Sequence, residues 1–401
     1  MMLNKATLYL STILMSSCSS IALANSITEA IVNGKTSANF NLRYETVTQD
    51  NALKDADAFT LRTRLTYNTA DFNRFSALIE FEDSRNVLGI DDYNNTLGKN
   101  TDHSVIADPE TTEFDQFFVK YKQETLAAKI GRQVITMDNH RFVGHVGWRQ
   151  DRQTFDGLTF DYQPIQNLSL QYGYITKRNR IFAEAKDINS DDHLINASYK
   201  TPVGKLTAYG YLLEVDNNTE NALDTYGLRF NGSTTLAKQK LTYNVEYATQ
   251  TADSATTSYN TDYLAAELGT EISGFGLKAG YELLGSDNGM SGFSTPLATL
   301  HKFNGWTDQF LSTPKEGLSD IYASVGGKLA GGKWSLIYHK FDADEASAMV
   351  DDLGAEINAV YTRPFNKHYS VGIKFASYSA GDISSGKVDT DKVWLWLTAN
   401  F

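Results

Sequence analysis

Apolar and polar residues alternate one for one, in short pieces, from residue 35 to the C-terminus, and this period of two constrains the fold more than any other feature of the chain. Successive side chains of a β-strand point to opposite faces, so each piece has one apolar and one polar face. About eighteen such pieces can be read, each about ten residues long, the length of a tilted strand that crosses a bilayer. They begin with KTSANFNLRYETV near 35–47, FTLRTRLTYNT near 59–69, RFSALIEFED near 74–83 and EFDQFFVKYK near 113–122. They close with HYSVGIKFASY at 368–378 and VWLWLTANF at 393–401. Tyr (22) and Phe (21) are abundant and Pro (6) is scarce, which suits strands.

The links between the pieces alternate in length. QET, QPIQ, TPVG, EISG, AGGK and RPFNK are short, whereas the intervening links are long and polar, at 84–112 and 286–319 above all. Short turns on one rim and long loops on the other predict an all-β fold, a transmembrane antiparallel barrel of about 18 strands with short periplasmic turns and long extracellular loops. An even strand number returns both ends of the chain to the periplasmic side. A secreted soluble β-sandwich or β-helix is the alternative, and it leaves the alternation of loop lengths unexplained.

The first residues, MMLNKATLYLSTILMSSCSSIALA, run from one cation at Lys5 through an apolar stretch to small residues, the grammar of a secretory signal peptide at 1–24. The rest, 25–401, is then one barrel domain. Met15-Ser16-Ser17-Cys18 offers a second, lipoprotein-like cut, but cleavage after Ala24 removes the single cysteine and leaves a mature chain with no disulfide. No later stretch is long and apolar enough for a spanning helix. The net charge of −12 and the lack of a basic stripe exclude nucleic acid as a partner class. These features place the protein in the outer membrane of a Gram-negative bacterium, among lipid and lipopolysaccharide. Val393, Leu395, Leu397, Ala399 and Phe401 share the lipid face of the last strand, and the terminal aromatic is expected to be read by the barrel-insertion machinery.

If the apolar positions face lipid, the intervening ones line the interior. That places Asn41, Arg43 and Glu45 of the first strand inside, with Arg62 and Arg64 of the second. Arg229, Lys374, Glu80, Glu246, Glu282 and Glu356 follow by the same parity. A cylinder of this width cannot be filled by its wall, and the chain has no N-terminal domain to plug it, so a channel is expected. Its selectivity must come from the wall and from loops that fold inward. The densest candidate is GRQVITMDNHRFVGHVGWRQDRQTFDG, 131–157, which carries Arg132, Arg141, Arg149 and Arg152 with Asp138, Asp151, His140, His145 and Trp148. Guanidiniums are forked donors suited to carboxylates; equally, these arginines can pair with the acids beside them and stiffen a loop. The loop at 134–153 makes a filter if it folds inward and a binding surface if it extends outward.

Within that span, GRQ, then HRFVG, then WRQDRQTFDGL resembles the corresponding segment of the alginate-export family of outer-membrane porins. The resemblance implies an eighteen-stranded barrel with an arginine-rich lumen that passes an anionic uronate polymer. It also implies that Arg132, Arg141, Arg149, Asp151 and Arg152 line the selectivity region.

No enzymatic constellation is evident. GKLAGGKW, 327–334, has Trp334 where a phosphate loop needs Ser or Thr, and there is no G-x-S-x-G or H-E-x-x-H. The acidic loops lack calcium-loop spacing. The expectation is therefore a passive, water-filled channel for small hydrophilic, anionic solutes, with no catalytic residue, metal or cofactor and an undetermined oligomeric state. A selective channel for an anionic oligosaccharide such as alginate, or a non-conducting barrel acting as adhesin or receptor, are the alternatives.

Overall fold

The computed structural model of the protein describes residues 20–401 apart from 218, 220 and 238. Most of the expected signal segment, 1–19, lies outside the described residues; a helix, α1 (Ser20–Val32), leads to the first strand. Its end is tied to the nearest turn by Ala70 N–H donating to the Ala30 carbonyl (2.9 Å).

Twenty strands follow among the described residues. β1 (Lys35–Gln49), β2 (Ala56–Asn68), β3 (Phe75–Asp92), β4 (Thr111–Lys122), β5 (Leu126–Gln133), β6 (Thr154–Ile165) and β7 (Leu168–Asn179) form the first part of the wall. β8 (Ile188–Thr201), β9 (Gly204–Glu214), β10 (Ala222–Leu236), β11 (Gln239–Asp253), β12 (Ser258–Ile272) and β13 (Phe275–Leu284) continue it. A small ladder, β14 (Ser286–Asp287) with β15 (Ser291–Gly292), sits in the following loop. β16 (Leu318–Leu329), β17 (Gly332–Asp342), β18 (Asp352–Pro364), β19 (Tyr369–Ser379) and β20 (Thr390–Asn400) complete the wall. Leaving out that ladder, each strand pairs antiparallel with the next, and β20 pairs with β1, so eighteen strands close on themselves. Closure continues to the last residue: Phe401 N–H donates to the Ala38 carbonyl (2.9 Å) and Ala38 N–H to that of Phe401 (3.0 Å).

The expected alternation is present. Leu395 and Leu397 point outward, whereas Lys392 and Trp394 of the same strand are buried inside. Arg43 and Glu45 of β1 are likewise buried inside. Phe401 lies against Phe40, His368 and Tyr369 at the short-turn rim, with ring centroids 5.3–6.3 Å apart. β3 and β8 run further than their hydrophobic patterns indicate, to Asp92 and back to Ile188. Polar sequence beyond the bilayer can still satisfy its backbone by pairing, so the ladder outlasts the apolar band.

Two long loops fold into the barrel and meet there. Residues 134–153 and 285–317 are joined by Gly144 N–H to the Leu297 carbonyl (2.8 Å) and Thr299 N–H to the His140 carbonyl (3.0 Å). Met137, Phe142, Val143, Phe293, Leu297 and Phe310 pack with the inward-facing Tyr209, Tyr263, Phe341 and Tyr378 into one apolar cluster. Hydrophobic packing thus lies inside the barrel at loop level, not within a wall between two sheets.

Leu395 is the sixth of eleven residues in β20 and pairs with Ile373 and Tyr44. Leu395→Arg, which places a cation on the lipid face near mid-bilayer, is expected to cost about 2–4 kcal/mol in folding stability. Denaturant titration of folding into lipid bilayers measures it; a cost near zero would show that this face does not meet lipid.

Candidate functional site

The inward loops divide the lumen into two cavities of about 650 Å³ each. The inner one reaches the short-turn end, past Lys240, Thr242, Glu271 and Leu277. The outer one is walled by loop residues, among them Arg180, Phe182, Met290, Phe293, Phe310 and Lys315. Arg141 lines the outer cavity, and its partners Glu282 and Asn304 line the inner one. Its Nε lies 2.8 Å from Glu282 and its Nη2 donates to Asn304 (3.1 Å), while the guanidinium sits over the Phe303 ring at 4.9 Å. Asn304 in turn donates to Glu282 (2.7 Å) and Asp320 (3.1 Å). This buried layer contributes to the walls of both cavities.

Beside it, Arg149 gathers three acids. It bonds both oxygens of Glu45 (3.1 Å), donates to Asp308 (3.0 Å) and lies 3.5 Å from Asp108. Arg43 bonds Asp108 and the Trp148 carbonyl. Gln150 anchors the same loop: its backbone N–H donates to the Asp108 carboxylate (2.8 Å) and its side-chain amide donates to the Thr60 hydroxyl (2.8 Å). The second loop is held by a wall carboxylate: Glu356 accepts from the Trp306 N–H, the Thr307 N–H (3.0 Å) and the Thr307 hydroxyl. Gly305, at φ +87°, makes this possible, because a Cβ there would stand 2.3 Å from the Glu356 oxygen.

Lys374, from β19, ties both loops to the wall. Its ammonium lies 4.1 Å from the Trp148 ring centre, 3.9 Å from Trp306 and 5.1 Å from Trp394, an aromatic cage in which the cation faces three π-systems. It donates to His301 Nε2 (2.6 Å), and His301 stacks on Trp148 at 5.1 Å and 7°. An ammonium has donors only, so Nε2 accepts and Nδ1 carries the proton that is given to Asp308 (2.6 Å). Burial alone would raise the Asp308 carboxyl, but His301, Lys392 and Arg149 hold it well below the usual range. Burial first, then the Lys374 and Arg149 cations, outweigh Asp308 and push His301 down to about 3.

The other sequence candidates are placed as follows. Arg152 pairs with Glu80 and with Asp115 (2.6 Å). Arg64 pairs with Glu82 and lies 3.6 Å from Asp115. Arg62 is buried inside and donates to the Asn39 side chain (2.5 Å). Asp151 is fully buried and accepts from the Ala183 N–H (3.4 Å); burial, then Glu113, Glu82 and Asp115, push its carboxyl well above the usual range. Arg132 is not brought into the lumen. It pairs across β4 with the outward Phe117 and across β6 with Asp156, which it bonds at 2.8 Å, and cross-strand partners share a face. The glycine of GRQ serves the backbone: a Cβ on Gly131 would stand 2.3 Å from the Phe117 carbonyl oxygen.

His301, Trp306, Asp308 and Asp108 belong to the site without being marked by any motif of the sequence. Their one local signal is HKFNGWTD, 301–308, inside a long loop. His140 and His145, the visible histidine cluster, form an edge-on ring pair at 5.2 Å, and burial pushes His145 down to about 4.

Two outcomes are expected. Arg149→Ala leaves Glu45, Asp108 and Asp308 facing one another, which is expected to cost about 3–5 kcal/mol on denaturant titration. His301 is the pH-sensitive contact. The groups facing it are Lys374 of β19, Trp394 and Lys392 of β20, Trp148 and Arg149 of the first loop, and Asp308 of its own. Its pKa in the folded protein lies below the value near 6.5 of a free imidazole, so the neutral ring is the stabilising form. The contact is complete above about pH 6.5 and is lost as pH falls towards about 3. Channel noise recorded across that window is expected to rise in the unmodified protein, and His301→Gln is expected to remove the histidine-dependent part of the rise.

The sequence matches the family model described as alginate export over residues 32–287. No curated protein matches the chain. Among solved structures, the fold is similar to Acinetobacter baumannii OccAB4, with a TM-score of 0.73 and 13% identity, covering 92% of this chain and 98% of that one. It is similar also to A. baumannii OccAB1 (0.72, 15%, 93% and 97%) and to Pseudomonas aeruginosa OccK9, or OpdG (0.71, 14%, 93% and 99%). The matched segment covers well over half of the chain and contains the inward loop at 134–153, so the protein belongs to the alginate-export family and is an outer-membrane porin.

Proposed function

We propose that this porin is a passive, water-filled diffusion channel whose inward loops favour small hydrophilic anions. The observation that carries the reading is the lining of the outer cavity. Arg141, Arg149, Arg180 and Lys315 face it, and among the described residues Asp308 is the one acid that does. The acids that neutralise Arg141 and Arg149 from behind, Glu282, Glu45 and Asp108, do not line it. An anion arriving from outside therefore meets donors, and a cation meets like charge.

The inner cavity is more evenly mixed: Arg229, Lys240, Lys278 and Lys302 line it together with Glu267, Glu271, Glu282 and Asp320. Contacts of both signs let a solute exchange hydration for protein contacts and leave again, as diffusion requires. The inward fold of 134–153 favours a filter over an adhesin or receptor surface. The family description favours alginate as the solute, and this second reading differs from the first in needing a continuous run of uncompensated cations along the pore.

The test is single-channel recording from the full barrel in planar bilayers under a salt gradient. Stepwise conductance with a reversal potential favouring chloride or acetate over potassium is the expected result. Cation preference would overturn the anionic reading, and inserted barrels without conductance would overturn the channel. Block of the anion current by oligouronate but not by acetate would favour the second reading.

A further inference from the structure

The sequence points to Arg141, Arg149 and Arg152 as the anion-selecting residues, yet each of the three is held by carboxylates. Lys315, at the outer cavity, pairs with Glu316 (3.5 Å) and is exposed. Arg180 differs from them all. It follows β7 directly and lines the same cavity. Among the described residues no carboxylate lies within 4 Å of its guanidinium, and its buried Nε has no hydrogen-bond partner. Its backbone is anchored by Arg180 N–H donating to Asp187 (2.9 Å). The guanidinium carbon lies 5.9 Å from the Phe182 ring centre, which holds the side chain along the cavity wall. Burial, then the neighbouring Arg178, lower its pKa from the usual arginine value, with Asp187 offsetting part. Arg178 itself is satisfied by Asp192 (2.6 Å).

We infer that Arg180 is the anion-capturing residue of the outer cavity, and that it takes a solute with a single carboxylate rather than a polyanion. The inference rests on the anionic reading above. A forked guanidinium with no counter-charge in place is a receptor for one carboxylate. Around it Ile181, Phe182, Met290, Phe293 and Phe310 form apolar wall between the paired cations of the lining. One carboxylate would satisfy Arg180 there. A second, a few ångströms along a polymer, would meet apolar wall or arginines whose counter-charges are in place, and would have to break a buried ion pair to bind.

The experiment compares the full barrel with Arg180→Gln and, because either change can impair insertion, with Arg180→Met, which keeps an unbranched chain against Phe182. Reversal potentials are measured in potassium acetate gradients, and acetate and an oligouronate are each titrated as competitors of chloride current. The anion-to-cation permeability ratio is expected to fall roughly three- to tenfold in whichever variant inserts, with the conductance in concentrated salt retained. Acetate competition is expected to weaken by a similar factor. A variant whose ratio and acetate competition equal those of the unmodified protein would overturn the role of Arg180 while leaving the anionic channel intact. Oligouronate competing more strongly than acetate would overturn the single-carboxylate class. An unmodified barrel without anion preference would instead overturn the reading on which the inference rests.

Discussion

A chain that crosses hydrocarbon by strands must pair every backbone N–H and C=O with another strand, because the lipid offers no partner and an unpaired group costs several kcal/mol. That requirement admits only a closed cylinder. Closure is seen at the seam, where β20 pairs with β1 along their length and the last residue of the chain still exchanges two hydrogen bonds with Ala38. The Phe401 backbone is thus part of the ladder, and its ring stays at the rim against Phe40.

Closure with eighteen strands creates the next constraint, an interior too wide for wall side chains to fill. Two loops fill it, and they bring an apolar cluster around Phe142 and Leu297 into a polar tube. The loops could not rest on the wall by hydrophobic contact alone, because the wall carries alternating Arg, Lys and Glu. They are attached by complementary charge: Arg149 to Glu45 and to Asp108 of the β3–β4 link, Asp308 to Lys392, and Trp148 and Trp306 to Lys374. Buried ions are tolerable only where each meets a partner, which is why these contacts form a continuous network.

Much of the fold was legible because its two signals are local. The period of two assigned Arg43, Glu45, Arg62 and Arg64 to the interior, and the alternating link lengths separated the two rims. The same parity would have turned Arg132 outward, since Ile130 two residues earlier is apolar and exposed; it was placed in the lumen through the family resemblance instead. The site was less legible because its contacts join distant segments. His301, Trp148 and Lys374 meet across 153 and 73 residues, by subtraction of their numbers, and no local pattern marks residues that are partners only after closure. The inward fold of 134–153 is hidden in the sequence for the same reason: its apolar residues are too few to show a face until Tyr209 and Tyr263 present theirs.

The arginine-rich segment also shows why residue counts are a poor guide to a pore's field. A guanidinium buried against a carboxylate contributes a dipole, which falls off within a few ångströms, whereas an uncompensated one contributes a charge. Arg141, Arg149 and Arg152 are attached to acids that belong to the wall, so their first task is to hold the loop. What a passing solute feels is the residue left after that pairing, and it is set by which member of each pair faces the cavity. In the outer cavity the cations face inward with Asp308, while Glu282, Glu45 and Asp108 lie behind them; in the inner cavity both signs line the wall. Two barrels with equal numbers of arginines can therefore differ in preference through the orientation of their ion pairs alone.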